Sequence, residues 1–124
     1  MDIVWLTEQA VLLASQDENL RDKIKDTVAS LVIVLKNSED IFLSLSIEKG
    51  EPNFIQGKID DPNFIFETSK EDFEKLMSGK SSPLLMFASG KLKMTKGSFG
   101  EINKITAPLT VVLKKAKELL DKEE

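Results

Sequence analysis

Helical periodicity at both ends of the chain, with strand periodicity between them, predicts an α+β fold built on five strands and covered by helices. The first four strands follow one another through short turns, a meander that favours a largely antiparallel sheet. The 124 residues carry 41% hydrophobic and 31% charged side chains at a net charge of −4. That is the composition of a single folded domain over residues 1–124, neither disordered nor membrane-spanning.

Residues 2 to 15 set Ile3, Leu6, Ala10, Leu13 and Ala14 at helical spacing and predict an N-terminal helix. Gln16 to Lys25 is polar, with only Leu20 and Ile24 apolar, and reads as a short amphipathic turn or an extension of that helix. Leu31-Val32-Ile33-Val34-Leu35 is a compact, largely β-branched run closed by Asn37-Ser38-Glu39-Asp40, the pattern of a buried strand and a turn. Ile41, Leu43, Leu45 and Ile47 alternate with Phe42, Ser44 and Ser46, which gives a second strand with one apolar face. The turn Lys49-Gly50-Glu51-Pro52 follows. Residues 54–59 and 63–68 are the third and fourth strands, joined at Asp60-Asp61-Pro62-Asn63.

Ser69-Lys70-Glu71-Asp72 has the Ser-x-x-acid form of a helix start and leads into Phe73, Leu76 and Met77 before Gly79. Ser82 and Pro83 open another short helix, Leu84 to Ala88, that is apolar nearly all round. Such a helix is buried on more than one side or faces something greasy that is not protein. Leu92 and Met94 then alternate with Lys91, Lys93 and Thr95 in a fifth strand, whose lysines suit a sheet edge. The last stripe, Ile102, Ile105, Leu109, Val112, Leu113, Ala116 and Leu120, is helical. Pro108 predicts a kink or break there, with Thr106 capping a new helix, and the tail from Asp121 to Glu124 is expected to fray.

The absent residue types limit chemistry. With no His and no Cys, imidazole acid–base catalysis, thiol nucleophiles and ordinary zinc sites are excluded. No dense carboxylate cluster is spaced for a hard cation either, so neither metal nor cofactor is expected. The N-terminus opens with an acid and no basic region, which predicts an unsecreted, cytoplasmic protein. The longest apolar runs, Leu31 to Leu35 and Leu84 to Ala88, fall far short of the ~20 residues of a membrane span.

Four groups of residues bear on function. Gly79-Lys80-Ser81 matches the end of a phosphate-binding loop, but Glu74 stands where the first glycine belongs and a helix precedes it. A helix-ending glycine and a turn account for it. Asp60-Asp61 and Glu39-Asp40 are adjacent carboxylates, yet both pairs fall in predicted turns, where acids are solvated. Lys75, Lys80, Lys91, Lys93 and Lys96 lie in a stretch free of acids, which suits either an anionic docking patch or a solvated edge. An acidic chain with one arginine and no aromatic ladder among its lysines argues against nucleic acid. Finally, Phe64, Phe66, Phe73, Met77, Leu85, Met86, Phe87 and Phe99 concentrate around the two short helices. Core and lipophilic cavity draw on the same residue types, and both readings stand at this point.

One stretch is similar to a known family. Asp61-Pro62-Asn63-Phe64-Ile65-Phe66-Glu67-Thr68-Ser69-Lys70-Glu71-Asp72-Phe73, then Leu76 to Lys80, Pro83 to Phe87 and Ser89-Gly90-Lys91-Leu92-Lys93, resembles the sterol carrier protein type 2 family. Lys96-Gly97-Ser98-Phe99-Gly100 departs from the Gly-Asp or Gly-Asn usual after that last strand. The resemblance implies a five-stranded, largely antiparallel sheet with helices on one face and an apolar tunnel between the layers. It also implies a non-enzymatic carrier for a fatty acid, acyl-CoA, phospholipid or sterol-like lipid. On that basis Phe64, Phe66, Phe73, Met77, Met86, Phe87, Phe99, Ile102, Ile105, Leu109 and Leu113 are expected to line or cap the cavity, with Lys91 and Lys93 at the head group. The expected partner is a long-chain lipid or acyl ligand, with room for a transient membrane contact and a homodimer. The alternatives are an interaction or dimerisation module of the same fold without a ligand, and an accessory domain to a lipid-acting enzyme.

Overall fold

The computed structural model of the chain describes residues Met1–Lys122. Two helices, α1 (Ile3–Ser15) and α2 (Glu18–Lys23), lead into strands β1 (Ala29–Lys36), β2 (Ile41–Glu48), β3 (Glu51–Gln56) and β4 (Phe64–Ser69). Helices α3 (Lys70–Met77) and α4 (Pro83–Ala88), strand β5 (Lys93–Lys96), a 3-10 turn (Phe99–Glu101) and helix α5 (Asn103–Lys122) complete the chain. The sheet is mixed, in the order β3-β2-β1-β4-β5. β1–β2, β2–β3 and β4–β5 are antiparallel, and β1–β4 is parallel.

The hairpin between β2 and β3 is tighter than the sequence suggests. Lys49 (φ 51°) and Gly50 (φ 81°) alone make the turn, in the left-handed region that two-residue hairpins require. The third strand therefore runs over Glu51–Gln56 rather than 54–59. Pro52 is accommodated because β3 is an edge strand, with no neighbour on its outer side to need an N–H.

The third and fourth strands do not pair with each other, as a simple meander would have it. Residues 57–63 instead cross the sheet to bring β4 beside β1. Ser44, buried on the face away from the helices, anchors this crossing: its hydroxyl donates to the carbonyl of Gly57 and accepts from the N–H of Ile59. Asn63 then closes onto Ser30, accepting from its backbone N–H through Oδ1 at 2.9 Å. Central β1 is consequently buried on both faces, since Val32 and Val34 are covered as well as Leu31, Ile33 and Leu35. That is why its sequence reads as a continuous apolar run.

The helices lie on the opposite face. Leu31, Ile33, Leu43, Leu45, Phe64 and Phe66 meet Ile3 and Leu6 of α1, Phe73 of α3, and Ile105 and Val112 of α5 in one core. Fully buried Ala10 and Ala14 on α1 and Ala116 on α5 let these two helices approach closely.

α5 corrects another expectation. It continues through Pro108 from Asn103 to Lys122, and Thr106 does not cap it. The Thr106 hydroxyl donates back to the carbonyl of Ile102 at 2.9 Å. Pro108 is buried, and the stripe packed against α1 and the sheet outweighs the ~3 kcal/mol that an internal proline costs. The helix also runs on through Asp121, held by an ion pair with Lys117 at 2.9 Å; Glu123 and Glu124 lie outside the described residues.

Thr68 is 3% exposed, and its hydroxyl has no hydrogen-bond partner among the described residues. Thr68→Val keeps the shape and removes an unsatisfied polar atom, so it should stabilise the fold by about 1 kcal/mol. Denaturant unfolding checks this.

Candidate functional site

Between the sheet and the helices lies a cavity of about 270 Å³. Ile33 of β1, Leu45 of β2 and Phe66 of β4 line it from the sheet, which follows from strand alternation placing them on the helix-facing side. α3 contributes Phe73, Leu76 and Met77. Their i, i+3, i+4 spacing puts them on one face, and Ser69 fixes where that face begins by accepting from the N–H of Asp72 at 3.0 Å. α5 adds Ile102, Ile105, Leu109, Val112 and Leu113, with Thr106 and Thr110 at the solvent edge.

α4 forms the remaining rim with Pro83, Leu84 and Phe87. Ser82 starts this helix by accepting from the N–H of Leu85 at 3.2 Å, and Pro83 occupies the first helical position. Among its residues only Met86 is buried. Residues that both line the cavity and meet solvent, Leu84 on α4 and Thr106 and Thr110 on α5, place its mouth between these two helices.

Phe66, Phe73, Met77, Phe87, Ile102, Ile105, Leu109 and Leu113 thus come together around one space. Phe64, Met86 and Phe99 do not line it. An aromatic series explains two of them: Phe64 stacks behind Phe66 at 6.2 Å, Phe66 meets Phe87 edge-on at 6.0 Å, and Phe87 meets Phe99 edge-on at 6.1 Å. Phe64 therefore backs the cavity wall, while Phe99 covers Phe87 from outside and is largely exposed. Sequence reasoning missed Ile33 and Leu45, because which strand sits opposite which helix depends on the crossing of residues 57–63. Thr7, Thr106 and Thr110 carry no apolar signal in the sequence, and they fit the lining because each hydroxyl bonds a carbonyl of its own helix.

No ionisable side chain lines the cavity among the described residues. The three threonine hydroxyls are turned to their own helices: Thr7 donates to the carbonyl of Ile3 at 2.7 Å, Thr106 to Ile102 at 2.9 Å and Thr110 to Thr106 at 2.8 Å. The space therefore offers apolar contact, and its residues supply neither acid nor base.

The lysines sit outside it. Lys91 is exposed just beyond α4, its N–H bonded to the carbonyl of Met86 at 2.9 Å. Lys93 stands opposite Glu67 in the sheet register, whereas Met94 stands opposite Phe66, so Lys93 is on the outer face, away from the cavity. Lys75 lies within 4 Å of Glu71 and Asp72. Lys96 pairs with Asp61 at 2.7 Å, and its hydrogen bond and positive charge hold the Asp61 carboxyl below the usual range. The small surface stabilisation from this pair is present above that range and is lost as pH falls through the lowered value. The turn acid Asp40 is likewise paired, with Lys36 at 2.9 Å. Gly79 (φ 77°) ends α3 with its N–H on the carbonyl of Leu76, as a helix-closing residue. No group of acidic residues among those described could hold a metal ion.

A mixed five-stranded sheet with helices on one face and an apolar cavity between the layers defines the class of the fold, α+β. The chain belongs to the SCP-2 sterol transfer family, whose model matches residues 9–110. That membership makes lipid or sterol binding and transfer its functional class. Its fold is that of a crystallised sterol carrier protein 2, with a TM-score of 0.72, 17% identity and coverage of 90% of this chain and 94% of that one. Sterol carrier protein 2 from Yarrowia lipolytica, solved in its apo form, is 27% identical, with a TM-score of 0.65 over 93% of this chain and 89% of that one. The stereoselective inverting sec-alkylsulfatase from Pseudomonas sp. contains the same fold as a small part: 14% identity, TM-score 0.56, 76% of this chain but 14% of that one. No curated protein matches the chain. Among the described residues, no helix is long and apolar enough to cross a membrane.

Proposed function

We propose that this chain is a non-enzymatic carrier that shelters one long acyl chain of a lipid in the cavity between the sheet and α3, α4 and α5. The observation that carries the reading is the cavity itself, lined by Phe66, Phe73, Met77, Ile105, Leu109 and Leu113 with no charge inside. At about 270 Å³ it lies just below the roughly 300–1,000 Å³ of common ligand sites, a size that favours one flexible chain over two chains or a rigid ring system. Burying about ten methylenes at ~0.8 kcal/mol each contributes ~8 kcal/mol before ordering costs. Ordering costs come off that sum, so the expected affinity is weaker than the micromolar level that a net ~8 kcal/mol would give.

The polar head stays at the mouth, and Lys91, exposed just beyond α4, is the better placed candidate, since Lys93 stands on the outer face of the sheet. Lys91→Ala should weaken binding of a fatty acid by about two- to fivefold, the scale of an exposed ion pair. Lys93→Ala, on the outer face, should leave it unchanged; isothermal titration with each variant checks both. Native mass spectrometry after incubation with a mixture of long-chain fatty acids tests the carrier reading, which expects one adduct per chain. Spectra showing only the bare protein would contradict it.

A second reading, an accessory domain to a lipid-acting enzyme, is supported by the likeness to a small part of the sec-alkylsulfatase. Both readings expect this chain alone to hydrolyse no alkyl ester, so turnover by the pure protein would count against both.

A further inference from the structure

Helix α4 leaves its apolar residues in solvent. Leu84 is 78% and Leu85 64% exposed, and Phe99, reached through the ring of Phe87, is 68% exposed. By helical spacing Leu84, Leu85 and Ala88 share the side opposite buried Met86. The surroundings of this patch are cationic. From Lys75 to Gly100 the chain contains no Asp or Glu, although its net charge is −4. Lys80 before the helix and Lys91 after it are exposed, and neither has an acid within 4.0 Å among the described residues.

We infer that α4 and Phe99 form a docking surface for an anionic lipid bilayer, with Leu84, Leu85 and Phe99 entering the boundary between head groups and acyl chains, and Lys80 and Lys91 meeting the anionic head groups. Three features select a bilayer over a protein. Two leucines and a phenylalanine on and beside a six-residue helix offer far less than the ~800 Å² per partner of a stable protein interface. A few large apolar side chains flanked by cations do suffice for reversible contact with an anionic membrane. The cavity mouth also opens between α4 and α5, with Leu84 on its rim, so a docked molecule would exchange an acyl chain without passing it through water.

Location supplies the test. α1, which carries the single tryptophan Trp5, packs by β3, whereas α4 precedes β5 at the opposite edge of the sheet. Phosphatidylcholine vesicles with and without phosphatidylserine are the probe, read by flotation and by tryptophan emission. The wild type should partition more strongly onto the phosphatidylserine vesicles while Trp5 emission stays put. A Trp5→Phe, Leu85→Trp variant should shift to the blue on the same vesicles. Leu85→Glu, at a residue outside the cavity lining, should lower partitioning about tenfold and keep fatty-acid binding. Lys80→Ala and Lys91→Ala should each lower partitioning about fivefold. Equal partitioning onto both vesicle types, a blue shift of Trp5 in the wild type, or a Leu85-dependent dimer in ultracentrifugation would overturn the inference. Fatty-acid binding is measured without vesicles, so failure of docking is distinguishable from failure of the carrier reading.

Discussion

Leu109→Trp should abolish most long-chain fatty-acid binding while leaving the protein folded. Leu109 is half-buried and borders the cavity from α5, so an indole there enters space that a ligand would otherwise fill. Displacing about three methylenes at ~0.8 kcal/mol each removes ~2.4 kcal/mol of binding, close to fiftyfold in affinity. Because the side chain grows into a void rather than a packed core, the melting temperature should stay within about 4 °C of the wild type. Chain length supplies the control. Shorter fatty acids, which leave part of the cavity empty, should lose less affinity than long ones; an equal loss across the series would mean that the substitution acts on the mouth rather than on the space within.

Gly97→Ala should be the most damaging of the glycine-to-alanine substitutions. Gly97 sits at φ 119°, where L residues are strained, and an added Cβ would lie 2.5 Å from the ring of Phe64 and 3.3 Å from the carbonyl of Asn63. Phe64 is buried and stacks on Phe66 of the cavity wall, so it cannot swing clear without disturbing both core and cavity. Backbone strain and overpacking together should cost about 3 kcal/mol or more, lowering the melting temperature by roughly 10 °C. Gly90→Ala separates these causes. Gly90 also has positive φ, 75°, but a Cβ there meets nothing within 4 Å, so only the left-handed penalty of about 1 kcal/mol remains. Similar losses at the two positions would show that the Phe64 contact contributes little.

These glycines also mark what could be read from residue patterns alone. Gly79 and Gly90 are legible as ends of short helices, because a helix stop depends on residues a few positions away. Gly97 is visible as a departure from the family pattern, but its reason, the ring of Phe64 more than thirty positions earlier, exists only once β4 and β5 pair. The same division holds for the sheet. Alternation in Ile41–Ile47 shows which side chains share a face, yet nothing local says that β4 lies parallel to β1 while β3 occupies the edge. The cavity was legible to the extent that it is built from local stripes. Helical spacing puts Phe73 and Met77 on one face of α3 and Ile105 and Leu109 on one face of α5, and the family resemblance, not the spacing, makes those faces a cavity wall. Ile33 and Leu45 carry no such local mark, because they reach the cavity only through tertiary pairing. Pro108 failed as a boundary signal for a related reason: the local cost of the residue was known, but the packing of the whole of α5 was not.

That apolar ligand occupies the space between the sheet and α3, α4 and α5 is tested by NMR contacts from a bound long-chain fatty acid. With methyl-labelled protein and unlabelled ligand, the acyl methylenes should give nuclear Overhauser contacts to the methyls of Ile33 and Leu45 on the sheet side of the cavity and of Ile105 on the helix side. Contacts confined to exposed Leu84 and Leu85, with none to those three residues, would contradict it.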